Sequence, residues 1–199
     1  MITRKEMTRM LLKEGLLSWL ANNSFESVTV TSLCKASGIT RSTFYLHYSN
    51  IMEIVDDLVD DAISYSRPGM VDNNNLQIIA KALSAASNSV SLREAYDSIF
   101  DRLPLCQRII RHKKYLPLFL DEQISEYVLQ RIIGREKDRQ GLVIAESLGI
   151  SFDVGVSVFV FLVHGLYAVN KQYNWSQSDE WLEAQKIIFE LVYRGLQRR

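Results

Sequence analysis

Cysteine is scarce in this sequence, since Cys34 and Cys106 are the only two among 199 residues. They lie far apart and match neither a Cys-x-x-Cys pair nor the ligand spacing of a structural metal site. A secreted chain of this size usually carries more cysteines, so a reducing, cytoplasmic environment is expected. Cys34 could act as a redox sensor, but we expect a small buried side chain, because free cysteines are among the most buried residue types.

Net charge and long apolar runs are also lacking. The 23 Lys and Arg residues balance 23 Asp and Glu, so any contact with a polyanion must come from a local patch. The longest apolar run, Val154–Val169, has 16 residues and contains His164, whereas a bilayer requires about 20. We expect a buried helix there, no membrane partner, and no signal peptide at the N-terminus.

Motifs of catalysis and cofactor binding are missing as well. The sequence has no Gly-x-Ser-x-Gly, P-loop, His-Glu-x-x-His or Gly-x-Gly-x-x-Gly segment. His112 and His164 lie far apart and have no carboxylate at metal-ligand spacing. We therefore expect no catalytic residue, no metal and no cofactor. An all-helical enzyme with an acid–base cavity is kept only as an alternative.

Helical periodicity is what the sequence does contain. Apolar residues recur at spacings of three and four, and no alternating strand pattern persists, which predicts an all-α fold. The clearest case begins at Ile51, and its acidic side is expected to face solvent (Asp56, Asp57, Asp60, Asp61). Further helices are predicted at residues 75–89, 91–102, 117–134, 152–173 and 179–199.

Three polar segments interrupt these helices. Residues 67–75, which contain Pro68 and an asparagine run, predict a hinge. The charged segment Gly134–Gly141 predicts an exposed loop. Arg108–Lys114 (RIIRHKK) could bind an anionic effector through His112, but a solvated basic face is favoured.

A short helix, a glycine-containing turn and a second short helix occupy residues 29–48. Thr29 and Thr40 suit the N-caps of the two helices, and Gly38 suits a turn with positive φ. In the second helix, Arg41–Tyr48, the spacing of Phe44 and Tyr48 predicts the inward side. This arrangement is typical of a helix-turn-helix, whose second helix enters the major groove of DNA.

The outward residues of the second helix suit contacts with DNA. Arg41 can bond guanine edges, while Ser42, Thr43 and Leu46 can read other edges or thymine methyl groups. Tyr45 and His47 can reach phosphate oxygens. Residues 1–50 contain six Lys and Arg against three Glu, a net charge of +3. A three-helix bundle that binds protein remains an alternative.

The segment Thr29–Ile54 resembles the DNA-binding signature of the TetR family of transcriptional regulators. The matching features are the threonine that opens the first short helix, Ser37–Thr40 at the turn, and the sequence TFYLHY at Thr43–Tyr48. One position departs from the family, because Ile51 replaces a lysine that commonly contacts DNA phosphate. Asn50 or the backbone amides of the following helix are candidates to replace that contact.

The resemblance implies an N-terminal three-helix helix-turn-helix domain at residues 1–50, a connecting helix at 51–66, and an effector-binding and dimerisation domain at 67–199. It implies a homodimer that binds a palindromic double-stranded DNA operator as a repressor and is released by an unknown small-molecule effector. A DNA-binding or architectural protein without an effector is the alternative.

The DNA-binding residues expected are Thr29, Thr31, Ser32, Arg41, Ser42, Thr43, Tyr45, Leu46, His47 and Asn50. The effector-binding candidates are His112, Phe161, His164 and Tyr167. The dimer-interface candidates are Phe159, Val163, Ile188, Leu191 and Gly195.

Overall fold

The computed structural model describes residues 3–66, 75–85, 91–111 and 113–196, and these ranges contain no β-strand. The all-α prediction is therefore confirmed for the part of the chain that is described. The α-helices are α1 (Arg4–Leu20), α2 (Val30–Ser37), α3 (Arg41–Tyr45), α4 (Ile51–Ser66), α5 (Asn75–Ser84), α6 (Leu92–Ser98), α7 (Leu105–Arg108), α8 (Leu116–Leu120), α9 (Ser125–Leu148), α10 (Phe152–Gln172) and α11 (Asp179–Leu196). Short 3-10 helices lie at Phe25–Ser27 and Phe100–Arg102.

The chain forms two compact units. Unit 1 comprises Met1–Ser64 and His112–Gly134, and unit 2 comprises Tyr65–Arg111 and Arg135–Arg199. Unit 1 therefore includes α8 and the first part of α9, which no sequence feature grouped with the helix-turn-helix. The predicted hinge at residues 67–75 lies outside the described residues except for Asn75, where α5 begins.

Helix α1 is fixed at its start by a reciprocal cap. Thr3 Oγ1 accepts a 3.2 Å hydrogen bond from Glu6 N, and Glu6 Oε2 accepts a 2.7 Å bond from Thr3 N. This pair satisfies two of the amides that a helix start leaves without partners. Leu12, Leu16 and Leu20, spaced four apart, are buried at no more than 8% exposure. They form the side of α1 that packs into unit 1.

Helix α4 buries the stripe that its sequence predicted, with Ile54, Val55, Leu58, Val59 and Ala62 at no more than 1% exposure. The expectation that its acidic side faces solvent is wrong, because all four carboxylates are half-buried. Three of them bind cations or hydroxyl groups of neighbouring segments (Asp56, Asp57, Asp61). Partners on α1 and α9 make these positions structural, a fact that sequence periodicity alone could not show.

The predicted loop at Gly134–Gly141 is also wrong, because these residues form the middle of the 24-residue helix α9. Glu136 and Gln140 lie one turn apart and are only 6% and 9% exposed. Arg139 Nε donates a 3.1 Å bond to Glu136 Oε2 on the same helix. The charge run therefore belongs to a helix with one buried side, which includes Glu136, and a charged pair at helical spacing stabilises it.

Unit 2 is built around α11, which packs on α5 and α6, and α10, which packs on α7. A chain of neutral hydrogen bonds lies in its core. Tyr96 OH donates to Gln107 Oε1 at 3.1 Å, and Gln107 Nε2 donates to Gln185 Oε1 at 2.9 Å. Gln185 Nε2 is buried and makes no hydrogen bond with the described residues. A buried donor of this kind is uncommon in folded proteins.

A second buried polar group in unit 2 joins three helices. Asn170 of α10 donates a 3.0 Å bond to Cys106 O of α7 and accepts a 3.0 Å bond from Trp181 Nε1 of α11. Burial raises the pKa of the Cys106 thiol to about 12, so the thiol stays neutral. Cys106 is therefore a buried, neutral side chain, and Cys34 is buried at 4% exposure, as the sequence predicted.

The basic segment at residues 108–114 agrees with its prediction as a solvated face at Arg111, Lys113 and Lys114, which are exposed, and differs from it at Arg108. Arg108 is only 5% exposed and lies over the rings of Tyr65 and Phe100, at 5.2 and 5.9 Å. Asp101 is 3.7 Å away, so aromatic faces and a carboxylate balance the buried charge. Arg111 pairs with Asp97 and is the more exposed of the two arginines.

Helix α10 is buried on one side only. Phe159, Leu166 and Tyr167 are no more than 8% exposed, whereas Val154 and Phe161 are 46% and 72% exposed. The prediction of a buried helix therefore holds for one side of α10, and the other side is exposed in this chain taken alone. Among the described residues, α10 is the one helix that is long and apolar enough to cross a membrane. That is weak evidence for a membrane span, since helices of soluble proteins can have the same composition.

Candidate nucleic-acid interface

The first short helix, α2, begins at a capping box. Thr29 Oγ1 accepts a 3.0 Å bond from Ser32 N, and Ser32 Oγ accepts a 2.9 Å bond from Thr29 N. The predicted N-cap is confirmed, and two of the candidate DNA contacts therefore also serve as helix caps. Thr31, between them, is exposed.

The turn between α2 and α3 depends on Gly38, whose φ of +66° confirms the predicted left-handed conformation. Ile39 N donates a 2.9 Å bond to Cys34 O, which closes the end of α2. The approach of α1 to α2 is close, because a Cβ added at Gly15 would lie 2.1 Å from Ser37 Oγ. These two glycines allow the short helices to pack on α1.

Helix α3 starts where predicted and ends earlier. Thr40 Oγ1 accepts a 3.2 Å bond from Thr43 N, which confirms the second N-cap. The helix proper ends at Tyr45 and not at Tyr48, because Leu46 and His47 donate to the third residue before them, in tight turns. The residues after Tyr45 therefore continue the path of α3 with a tighter pitch.

Burial divides α3 and its turn into two sides. Phe44 and Tyr48 are 0% and 3% exposed, which confirms the predicted inward positions. Tyr45 and Leu46 are 53% and 80% exposed. The remaining candidates for DNA contact on this segment are exposed (Arg41, Ser42) or half-buried (Thr43, His47). The structure thus brings the predicted reading residues onto one accessible surface.

The charges of this region are fewer than the sequence count indicated. Arg9 Nε donates a 3.0 Å bond to Asp57, and Lys13 forms an ion pair with Asp61 at 2.5 Å. These two cations of α1 are therefore neutralised within unit 1. The other four cations of residues 1–50 are exposed and form no ion pair with the described residues (Arg4, Lys5, Lys35, Arg41). Any contact between phosphate and a cation of residues 1–50 that has no ion pair would have to come from these four.

The start of α4, at Ile51, is capped from within the chain. Asn50 Oδ1 accepts a 3.1 Å bond from Glu53 N, and Glu53 Oε2 accepts a 2.8 Å bond from Ser49 N. A carboxylate thus lies at the positive end of the helix, where it is stabilising.

Of the effector candidates that the structure describes, Tyr167 lies on a different side of α10 from Phe161 and His164. Phe161 and His164 lie on the exposed side of α10, and His164 Nδ1 is 2.9 Å from Val160 O. Tyr167 is 7% exposed and contacts the ring of Trp175 edge-on at 5.6 Å. His112 lies outside the described residues.

The interface candidates are divided in a similar way. Leu191 is 66% exposed and Gly195 is exposed, while Val163 and Ile188 are half-buried. Phe159 is only 8% exposed, because it lies on the side of α10 that packs inside the chain. The exposed phenylalanine of this helix is Phe161, two positions further on.

Sequence reasoning missed the residues that hold unit 1 together around α3. Asp121 is buried and accepts backbone bonds from Phe25 N at 2.7 Å and Gln123 N at 2.9 Å. It thereby ties the segment before α2 to the turn between α8 and α9. Tyr127 and Arg131 of α9 bind Asp56 of α4. Their four-residue spacing was visible in the sequence, but their partner was not.

Comparisons with known proteins give one structural likeness. No protein-family model matches this sequence, and no curated protein sequence matches it. Among solved structures, the chain is similar to the TetR family repressor AlkX from Dietzia sp. strain DQ12-45-1b, which is implicated in biodegradation of n-alkanes. The TM-score is 0.42 at 15% sequence identity, over 96% of this chain and 95% of that chain.

Proposed function

We propose that this protein is a sequence-specific DNA-binding regulator of transcription that reads duplex DNA with α3. The observation that carries the proposal is the two-sided burial of this segment. Phe44 and Tyr48 anchor it inside unit 1, while Arg41, Tyr45 and Leu46 face outward on one accessible surface. An arginine, a hydroxyl and an apolar group are the chemistry that base edges and phosphates require. The resemblance of Thr29–Ile54 to the TetR family supports the same function.

Arg41→Ala tests the proposal by titration against a duplex that the wild-type protein selects from a random pool. The expected loss is about 1–3 kcal/mol of binding free energy on that duplex, with a smaller loss on a scrambled duplex. Arg93→Ala is the matched control, because Arg93 is an exposed arginine of unit 2 that pairs with Asp179. An equal loss on both duplexes would assign Arg41 to phosphate contact and contradict base reading.

We also propose that the chain binds a palindromic operator as a homodimer, through the exposed sides of α10 and α11. Phe161 and Leu191 are 72% and 66% exposed, and Ile187 is 50% exposed. Large apolar side chains grouped on helices in this way usually mark an interface. Two-fold symmetry matches the symmetry of a palindrome, whose half-sites lie about 34–36 Å apart.

Leu191→Glu tests the dimer. Because Leu191 is already mostly exposed, the variant should keep its fold and sediment as a monomer. Leu120→Glu is the control, since Leu120 of α8 is 53% exposed in unit 1. A wild-type protein that sediments as a folded monomer at micromolar concentration would contradict the homodimer.

We further propose that a small-molecule effector binds unit 2 and releases the operator, which would make the protein a repressor. The buried amide of Gln185 supports an uncharged ligand that accepts hydrogen bonds, because its Nε2 makes none with the described residues. Coupling between two such sites usually amounts to about 1–3 kcal/mol and must be reciprocal.

Native mass spectrometry of the purified protein would identify a retained ligand. Calorimetry would then measure its affinity with and without saturating operator. We expect the operator to weaken effector binding by about 5- to 150-fold. Equal affinities would show that effector and operator sites are not coupled.

A further inference from the structure

Two adjacent carboxylates of α4, Asp56 and Asp57, bind different neighbours. Asp57 Oδ2 accepts a 2.6 Å hydrogen bond from Tyr48 OH and a 3.0 Å bond from Arg9 Nε. Asp56 Oδ1 accepts a 2.7 Å bond from Tyr127 OH. Consecutive side chains of a helix point about 100° apart, so one turn of α4 can face both neighbours at once.

The Asp57 contact reaches the end of the proposed reading segment, which is α3 with the turn after it (Arg41–Tyr48). Tyr48 is 3% exposed, its backbone N donates to Phe44 O at 3.0 Å, and the Arg9 guanidinium lies 4.8 Å from its ring centre. Burial and the neighbouring Asp57 carboxylate raise the pKa of Tyr48 well above its ordinary value. The hydroxyl therefore keeps its proton and remains a donor, which fixes Tyr48, three residues after the end of α3, to α4.

The Asp56 contact reaches α9. Tyr127 and Arg131 are four residues apart on that helix and therefore share one side of it. Arg131 Nε lies 2.7 Å from Asp56 Oδ1, but its N–H makes no hydrogen bond, so this contact is an ion pair. Between them, Val128 and Leu129 are buried at no more than 2% exposure and hold this part of α9 in unit 1. The same helix continues without a break into residues assigned to unit 2.

We propose that Tyr127 and Asp56 are positioning residues for the reading segment, acting on α3 through α4 and the Asp57–Tyr48 bond. The proposal rests on the proposed function only in taking α3 as the part that reads DNA. Neither residue has to touch DNA. The hydrogen bond between Tyr127 and Asp56 limits how α4 can rotate, and Asp57 of α4 in turn holds Tyr48. Removing the Tyr127–Asp56 bond should therefore make the segment from Phe44 to Tyr48 more mobile.

Hydrogen–deuterium exchange on Tyr127→Phe tests the positioning role without DNA. The variant loses one hydroxyl and keeps its ring, so the fold is expected to persist. Amides of residues 44–48 should exchange about 3- to 10-fold faster, the net scale of one ordinary intramolecular hydrogen bond. Asp56→Asn should act in the same direction.

Tyr173→Phe is the matched control, because it removes a hydroxyl in unit 2 for which the described residues offer no hydrogen bond. Its exchange at residues 44–48 should equal that of the wild type. Faster exchange that stays confined to α4 and α9 in Tyr127→Phe would overturn the proposal. Faster exchange in every helix of the molecule would do so as well, since it would show general destabilisation.

Binding to the selected duplex extends the test to function. The dissociation constant of Tyr127→Phe should rise about 3- to 10-fold, while that of Tyr173→Phe should not change. In the double variant Tyr127→Phe with Tyr48→Phe, the dissociation constant should rise by less than the product of the two single-variant factors, because both substitutions act on one route. A loss equal to the product would overturn the shared route. If the wild type selects no duplex at all, the proposed function fails, and the exchange data still decide the positioning role.

Discussion

The crossing of α9 and α10 leaves no room for a side chain at Gly155. A Cβ at this position would lie 2.2 Å from Gly141 O and 3.0 Å from both Cβ and N of Ala145. The nearest obstacle is backbone, so relief requires the two helices to separate by roughly 1 Å, the gap to an ordinary contact. Overpacking of this kind costs about 1–3 kcal/mol, and the backbone contact favours the upper end.

The cost is partly offset, because alanine is better than glycine inside a helix by about 1 kcal/mol. We therefore expect Gly155→Ala to lower the free energy of unfolding by about 2 kcal/mol. For a chain of this length, that corresponds to a melting temperature roughly 4–8 °C lower. Thermal unfolding followed by circular dichroism measures the change.

Gly134→Ala is the control for this prediction. Gly134 lies inside α9, and an added Cβ would meet no atom within 4 Å. That variant should melt at or slightly above the wild-type temperature, because only the helix-propensity gain remains. If Gly155→Ala melts as high as Gly134→Ala, the close crossing of the two helices is contradicted.

Three further predictions concern other buried groups. Asp121→Ala should lower the free energy of unfolding by about 2–4 kcal/mol in urea titration, because Phe25 N and a second amide lose a charged acceptor; an unchanged midpoint would contradict the tie. Gln185→Leu should lower the free energy of unfolding by about 1–3 kcal/mol in the same assay, since the side-chain amide of Gln107 loses its acceptor. A more stable variant would contradict the Gln107–Gln185 hydrogen bond. Cys34 and Cys106 should resist a thiol reagent at pH 8 until urea unfolds the chain, because burial raises the pKa of both thiols. The Cys106 thiol has a pKa of about 9.0 in the unfolded chain and a higher one in the folded chain, so only the unfolded chain loses this proton just above pH 9. The free energy of unfolding should therefore fall as the pH rises above about 9. Rapid labelling of the native protein would argue for the redox alternative.

The features of the helix-turn-helix that the sequence predicted are local ones. A cap at Thr29 or Thr40 and a left-handed turn at Gly38 depend on residues within four positions of each other. The spacing of Phe44 and Tyr48 fixes one side of a helix in the same way. Such features are therefore readable from a single sequence.

Features that depend on distant partners were not predictable. Periodicity marked Asp57 as lying off the apolar stripe of α4, but nothing local showed that Tyr48 and Arg9 would bind it. The charged run inside α9 predicts a loop, because composition alone does not distinguish a loop from a helix with one buried side. Helix α10 is apolar nearly all round, so periodicity could not show that Phe159 faces inward and Phe161 outward.

The central claim is that α3 reads base sequence, and the motif that the protein selects from random duplex DNA tests it most directly. Wild type and Arg41→Ala are each put through the same selection, with Arg93→Ala as the control. We predict that the wild type and the control select one palindromic motif. Arg41→Ala should lose base preference at a single pair of symmetry-related positions, the loss that one missing base contact produces. An Arg41→Ala motif identical to that of the wild type, or no motif for the wild type, would contradict the claim.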